Sequence, residues 1–257
     1  MSLVDEYRRQ LAWRRWSEIL DALPPLEGRT VLDLGCGVGD LAAELAARGA
    51  RVVGIDGNEE LLAHARSRRI RGTEFRTGDL RALHELDAPV DGIWSSFAAA
   101  YIPDLPPALA AWARSLKPDG FIALTEIDDL FGHEPMGERT KGLLERYVDD
   151  ALAAGRYDFR MGRKLGCHLE SCGFAVLKTM TVPDSELSFD GPAAADVLDA
   201  WALRFERMGL LRDACGSEFE AVRTEFLGCL ARADHVSTAK VRCCIARRAP
   251  PPEKAAS

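Results

Sequence analysis

The stretch Val31–Asp40, VLDLGCGVGD, decides the fold. Val31, Leu32 and Leu34 make the short apolar run expected of a strand buried on both faces. Gly35, Gly37 and Gly39 then follow at alternate positions, removing Cβ atoms where a chain must turn sharply and bring its backbone against a ligand. Leu41, Leu45 and the alanines 42, 43, 46 and 47 continue as a helix-forming segment that stops at Gly49. A strand, a tight turn and a helix N-terminus in this order aim free N–H groups at whatever rests on the loop.

A second strand, Arg51 to Ile55, ends in Asp56, 21 positions beyond Gly35. In a βαβ unit an acid at that place reaches a ribose diol, because one carboxylate accepts from both hydroxyls. Asp79, in RTGDL, closes the next strand-like stretch, Glu74 to Thr77. With Asp33, three strand ends in succession carry an acid on one rim.

The set Asp33-Leu-Gly35-Cys-Gly37-Val-Gly39, then Asp56, then Gly78-Asp79 resembles motifs I, II and III of the class I S-adenosylmethionine-dependent methyltransferases. The resemblance covers Arg29 to about Ile127. It implies a doubly wound Rossmann-like α/β sheet of seven strands in the order 3-2-1-4-5-7-6, with strand 7 antiparallel. It further implies that Gly35, Cys36, Gly37 and Gly39 support the methionine and ribose portions, Asp33 lies near the methionine amino group, and Asp56 binds the ribose hydroxyls. Asp79 and Leu80 would flank the adenine, with Gly57, Asn58, Ser96 and Phe97 completing the cofactor set. A nicotinamide dehydrogenase is the competing reading, but its G-x-G-x-x-G needs a glycine three places after Gly37, where this chain has Asp40. A binding module that kept the loop without transferring a methyl group is the alternative from another class.

Composition narrows the partners. A 257-residue chain, 47% hydrophobic, buries one substantial core. A net charge of −7 argues against a nucleic-acid partner, since phosphate binding needs a basic face. No run approaches a membrane span, and Arg8, Arg9, Arg14 and Arg15 among acids do not make a secretory leader, so a cytoplasmic setting is expected. Seven cysteines without a C-x-x-C pair read as free thiols, and no metal-ligand spacing is present. The oligomeric state is not legible.

One domain is expected, with an N-terminal helical cap over 1–28, core strands over 29–190, a helical insertion over 191–235, a last strand over 236–248 and a disordered tail over 249–257. Glu6 to Leu23 reads as one amphipathic helix whose Tyr7, Trp13 and Arg14 either line the mouth or pack on the body. Val90 to Ser96 reads as the fourth strand and Phe121 to Ile127 as the fifth, entered through Lys117-Pro-Asp-Gly120. Phe174 to Val182 reads as the sixth strand and Val236 to Arg247 as the seventh.

Open parallel sheets bind ligands beyond the carboxyl ends of their strands, so the acceptor candidates are Ser96, Phe97, Tyr101, Glu126, Asp128, Asp129 and His133. His133 is the expected general base, Glu126 or Asp128 the binder of a cationic group, and Tyr101 a further catalytic candidate. Arg156, Arg160, Arg163 and Lys164 either grip an anionic group or pair with Asp149, Asp150 and Asp158. If both charge groups face the pocket, a zwitterionic, amino acid-like small molecule or an amine is the expected acceptor. No N-P-P-[YFW] follows the fourth strand, which removes planar amides and exocyclic base nitrogens as acceptors.

Overall fold

A computed structural model describes residues 3–83 and 88–249. Seven strands form one sheet: β1 (Thr30–Leu34), β2 (Arg51–Asp56), β3 (Thr73–Thr77), β4 (Val90–Ser96), β5 (Leu116–Asp128), β6 (Phe174–Val182) and β7 (Lys240–Arg248). Their order is β3-β2-β1-β4-β5-β7-β6. Pairing is parallel from β3 across to β5, and β7 runs antiparallel between β5 and β6. This is the topology the glycine motif implied. Strand order reverses at β1, whose two neighbours are β2 and β4, so a crevice opens beyond the carboxyl ends of β1 and β4.

Alternation along β1 sends Val31 to one side of the sheet and Leu32 and Leu34 to the other, and both sides are covered. Trp16, Ile19, Leu45 and Trp94 fill the first side. On the second side Leu105, Leu109 and Trp112 of α5 (Leu105–Ser115) and Leu165 and Leu169 of α7 (Leu165–Ser171) pack on Ile93 and Ile122. These side chains are all essentially removed from water, each contributing on the order of 1.5–3 kcal/mol of transfer free energy.

The glycine loop leads into α3 (Asp40–Ala47), and Asn58 caps α4 (Glu59–Ser67) by accepting from the Glu60 and Leu61 N–H groups. After β5 the chain forms α6 (Glu138–Ala153), and after β6 it forms α8 (Ala195–Arg207), α9 (Gly209–Cys215) and α10 (Phe219–Leu230). Phe226 anchors this added layer, with ring centroids 4.8 Å from Trp201, 5.1 Å from Phe205 and 5.9 Å from Phe131.

Some boundaries depart from the sequence reading. The single helix expected over Glu6 to Leu23 is two, α1 (Leu3–Trp13) and α2 (Trp16–Leu20). Arg14 breaks it, because its backbone bridges to Asp184 and its guanidinium is drawn into the interior by Asp184 and Glu186. Val236–Ser237 does not begin the seventh strand but pairs with His133–Glu134 in a separate two-strand ladder. The fifth strand starts earlier than Phe121: Leu116 pairs with Val90 and Phe121 with Gly92, and the residues between bulge outward with Asp119 at φ +62°. The tail expected over 249–257 falls, from residue 250 onward, outside the described residues. Among the described residues no helix is long and apolar enough to cross a membrane.

Candidate active site

The glycine loop takes the shape its residue types require. Gly35, Gly37 and Gly39 all have positive φ, at 78°, 50° and 77°. At Gly35 the need is double, since a Cβ would also lie 2.4 Å from the Ala98 Cβ across the gap between β1 and β4. A Cβ on Gly39 would meet the Phe75 ring at 2.7 Å, so that glycine lets α4 and β3 close under the loop.

Asp56 stands at the end of β2 and ties the loop in place. Its Oδ2 accepts the Gly37 N–H at 2.8 Å and its Oδ1 the Asn58 N–H at 2.8 Å. Asp33 is 2% exposed, and its Oδ2 has no hydrogen-bond partner. Burial, helped by the nearby Asp56 charge, raises its carboxyl to about 7. The Ser96 hydroxyl is likewise buried without a partner. Burial, with Asp33 and Asp56 behind it, pushes the Cys36 thiol well above its usual value, so it stays protonated and serves as a small residue. Asp79 pairs with Arg81 at 2.9 Å and accepts the Arg81 N–H, while the Leu80 carbonyl accepts from Trp112 Nε1 at 2.8 Å.

These groups line one end of a cavity of about 1280 Å³. Asp33, Gly35, Cys36, Gly37, Asp56, Gly57, Asn58, Asp79, Leu80, Ser96 and Phe97 all face it, and of the expected cofactor residues Gly39 alone does not. Gly39 acts from beneath, through the packing just described. Tyr7 of α1 closes the top, since a Cβ on Gly37 would lie 3.3 Å from its ring.

The outer end is aromatic and basic. Tyr101 and Tyr157 meet edge to face at 4.7 Å, and Tyr157 and Phe159 pack tilted at 59° with centroids 4.6 Å apart. Leu130, Tyr147, Ala151, Arg156, Arg204, Arg207 and Met208 also line the cavity, Arg156 being exposed to solvent. Tyr147, Arg204 and Arg207 are not among the residues expected from the sequence, which does not say which face of α6 or α8 meets the site. The available signal was two arginines, 204 and 207, alternating with Trp201 and Phe205 along one amphipathic helix.

The three catalytic candidates separate. Tyr101 faces the cavity. Glu126 lies beneath it, fully buried, where Oε1 accepts the Ala100 N–H at 3.0 Å and Oε2 has no partner. Burial lifts its carboxyl to about 8, so it holds the Ala99–Tyr101 turn as a largely neutral group. His133 is a correction: it does not line the cavity. It stands in the short ladder among Trp201, Phe226 and His235, with Nδ1 2.9 Å from His235 Nε2. Burial first, then the charges of His235, Lys240 and Arg204, lower it to about 3, which keeps it neutral and away from a reacting group.

The charged groups expected to grip a zwitterion mostly pair with each other. Asp128 binds both Arg163 and Arg242, Lys164 binds Asp158 at 2.7 Å, and Arg160 binds Asp149 at 2.8 Å. Asp129 adopts φ +67° in the turn after β5 and does not line the cavity. Only Arg156 of the basic group faces the cavity, so the premise of a zwitterionic acceptor is not met. From the N-terminal helix, Tyr7 and Arg14 reach the cavity, whereas Trp13 donates to Asp196 outside it. The Arg14 guanidinium, 4.5 Å above the Phe97 ring, is fully engaged by Asp184, Glu186 and Gln10 and is not free to clamp a carboxylate.

A glycine cradle, a carboxylate at the β2 end and a buried, partnerless carboxylate at the β1 end suit a nucleoside that also carries an ammonium group. The methyltransferase-domain family (Methyltransf_25) matches residues 31–120, the segment that builds this end. A 37.1 kDa protein of transposon TN4556 from Streptomyces fradiae is 30% identical over 205 residues, covering 77% of this chain and 58% of its own length. Nocamycin O-methyltransferase of Saccharothrix syringae is 38% identical over 127 residues, 47% of this chain and 44% of that protein. The chain thus spans about half the length of the curated relatives it matches. An S-adenosylmethionine-dependent methyltransferase from Mesorhizobium loti shares the fold with TM-score 0.55 at 22% identity, over 91% of this chain and 97% of that one.

Residues 31–120 thus match a methyltransferase-domain family, and the strand order and crevice around them are those of the class I methyltransferase fold. S-adenosylmethionine is the cofactor of that class, and the residues of the crevice fit it.

Proposed function

We propose that the chain transfers a methyl group from S-adenosylmethionine to a small molecule held in the outer half of the cavity. One observation supports this above the others: the glycine cradle and the aromatic chamber are two ends of a single space. When bound, the cofactor supplies an electrophilic methyl carbon on a cationic sulfonium.

The chain's own residues bind and orient. Asp56 would take the ribose hydroxyls with the lone pairs not used by Gly37 and Asn58, and Asp33 the ammonium group that its burial calls for. Tyr7, against Gly37, and Phe97 both line the space between the glycine loop and the aromatic chamber. An in-line displacement then needs the acceptor atom held at roughly 3–3.5 Å from the methyl carbon with water excluded, for which positioning does most of the work. The α8–α9 segment, through Arg204, Arg207, Met208 and Leu210, and the roof of α1 would do that excluding.

Incubation with methyl-labelled S-adenosylmethionine and pooled small metabolites tests the reading. Label in a product supports transfer, whereas saturable cofactor binding with no labelled product identifies a binding module instead.

A further inference from the structure

The charges that line the cavity cancel unevenly. Asp40 pairs with Arg68, Asp79 with Arg81, Glu6 with Arg207, Arg14 with Asp184 and Glu186, and Arg204 with Glu186. Among the described residues this leaves Asp33 and Asp56 without a cation at the cofactor end, and Arg156 without a carboxylate at the other. The cavity is therefore polarised along its length, negative where a sulfonium and an ammonium belong and positive at the acceptor mouth.

Arg156 follows α6 after Gly155 at φ +65°, and among the described residues its guanidinium makes one hydrogen bond, a long one of 3.5 Å to the Asp150 carbonyl. Exposed itself, Arg156 lines the same cavity as Tyr147, Tyr157 and Tyr101 and the apolar Leu130, Ala151, Phe159 and Met208. The phenols are all held above their ordinary value by desolvation, so they donate hydrogen bonds and do not take protons. An acceptor that needed a base to remove its proton would find none of the usual groups here. One that arrives already ionised would find donors and a guanidinium. The cationic cofactor further favours an anion in the same space over a protonated amine.

Resting on the methyl-transfer reading above, we propose that the acceptor is an organic acid with an apolar or aromatic body, its carboxylate seated by Arg156 at the cavity mouth. Arg156 is thus a specificity-determining residue, and the bidentate fork of a guanidinium is what distinguishes an acid from its amide.

Calorimetry on the protein loaded with S-adenosylhomocysteine tests this, using phenylacetate, cinnamate, 4-hydroxybenzoate and octanoate against the primary amide of each. At least one acid should bind tenfold or more tightly than its amide. Arg156→Gln should abolish that preference, and Arg156→Lys should keep part of it. The proposal is overturned if no acid binds, if acids and amides bind alike, or if the preference survives in Arg156→Gln. S-adenosylhomocysteine affinity is read in the same experiments. Its loss in the unsubstituted protein would sink the cofactor reading itself, whereas unchanged affinity confines any failure to the choice of acceptor.

Discussion

The Asp56 carboxylate accepts the Gly37 N–H at 2.8 Å, so one side chain joins the end of β2 to the loop that leaves β1. The same group is the expected partner of the ribose hydroxyls. Asp56→Ala should weaken S-adenosylmethionine binding at least tenfold, the loss of about 1.4 kcal/mol or more of charge-assisted hydrogen bonding. Unchanged affinity in titration calorimetry would remove Asp56 from the ribose site.

Gly35 sits where φ is +78° and a Cβ would lie 2.4 Å from the Ala98 Cβ. Gly35→Ala should cost about 1–3 kcal/mol of folding stability through backbone strain and overpacking. The double variant with Ala98→Gly relieves the clash but not the strain, and so should recover part of the loss. Urea midpoints for the three proteins check this, and full recovery would assign the whole effect to the clash.

Arg14 is almost fully buried and holds Asp184 at 2.7 Å and Glu186 at 2.8 Å. Arg14→Met removes the cation and leaves two buried carboxylates with one remaining partner, Arg204. The expected destabilisation is about 3–5 kcal/mol, as for other broken buried pairs. Limited proteolysis should also cut α1 sooner in the variant. A melting curve that superimposes on that of the unsubstituted protein would show the network to be ornamental.

His133 carries the pH prediction. Its folded value is near 3 against about 6.5 in the unfolded chain, so the unfolded state takes up a proton that the native state refuses. The stability from burying it neutral is complete above about pH 6.5 and is lost as pH falls toward 3. In His133→Phe, denaturant melts should show a shallower loss over that window. Because His133 lies off the cavity, methyl transfer by this variant should persist. A variant that folds, binds cofactor and transfers nothing would return His133 to the site.

What the sequence made legible followed from local necessity. Gly35, Gly37 and Gly39 announce positive φ, and the segments read as the fourth and sixth strands match the limits of β4 and β6 residue for residue. The cofactor end lies on consecutive strand ends, so its members come in a predictable order. The outer end is different in kind, since Tyr7, Tyr147 and Arg204 meet there from three helices whose mutual placement no local pattern encodes. Arg14 makes the same point: the amphipathic pattern runs through it, but carboxylates 170 and 172 positions later break the helix there. His133 misled because a histidine after a strand end looks like a base until its neighbours are known to be rings.

The roof over the crevice has an order of assembly built into it. Trp13 is held by Asp196, Arg14 by Asp184 and Glu186, and Glu6 by Arg207, all synthesised long after the helix they secure. A nascent chain completes its glycine cradle, through Phe97, within the first two fifths of the sequence, yet the residues that secure the roof lie between Asp184 and Arg207. Such long-range closure is entropically late, and it makes the lid the last piece to settle and the first to detach.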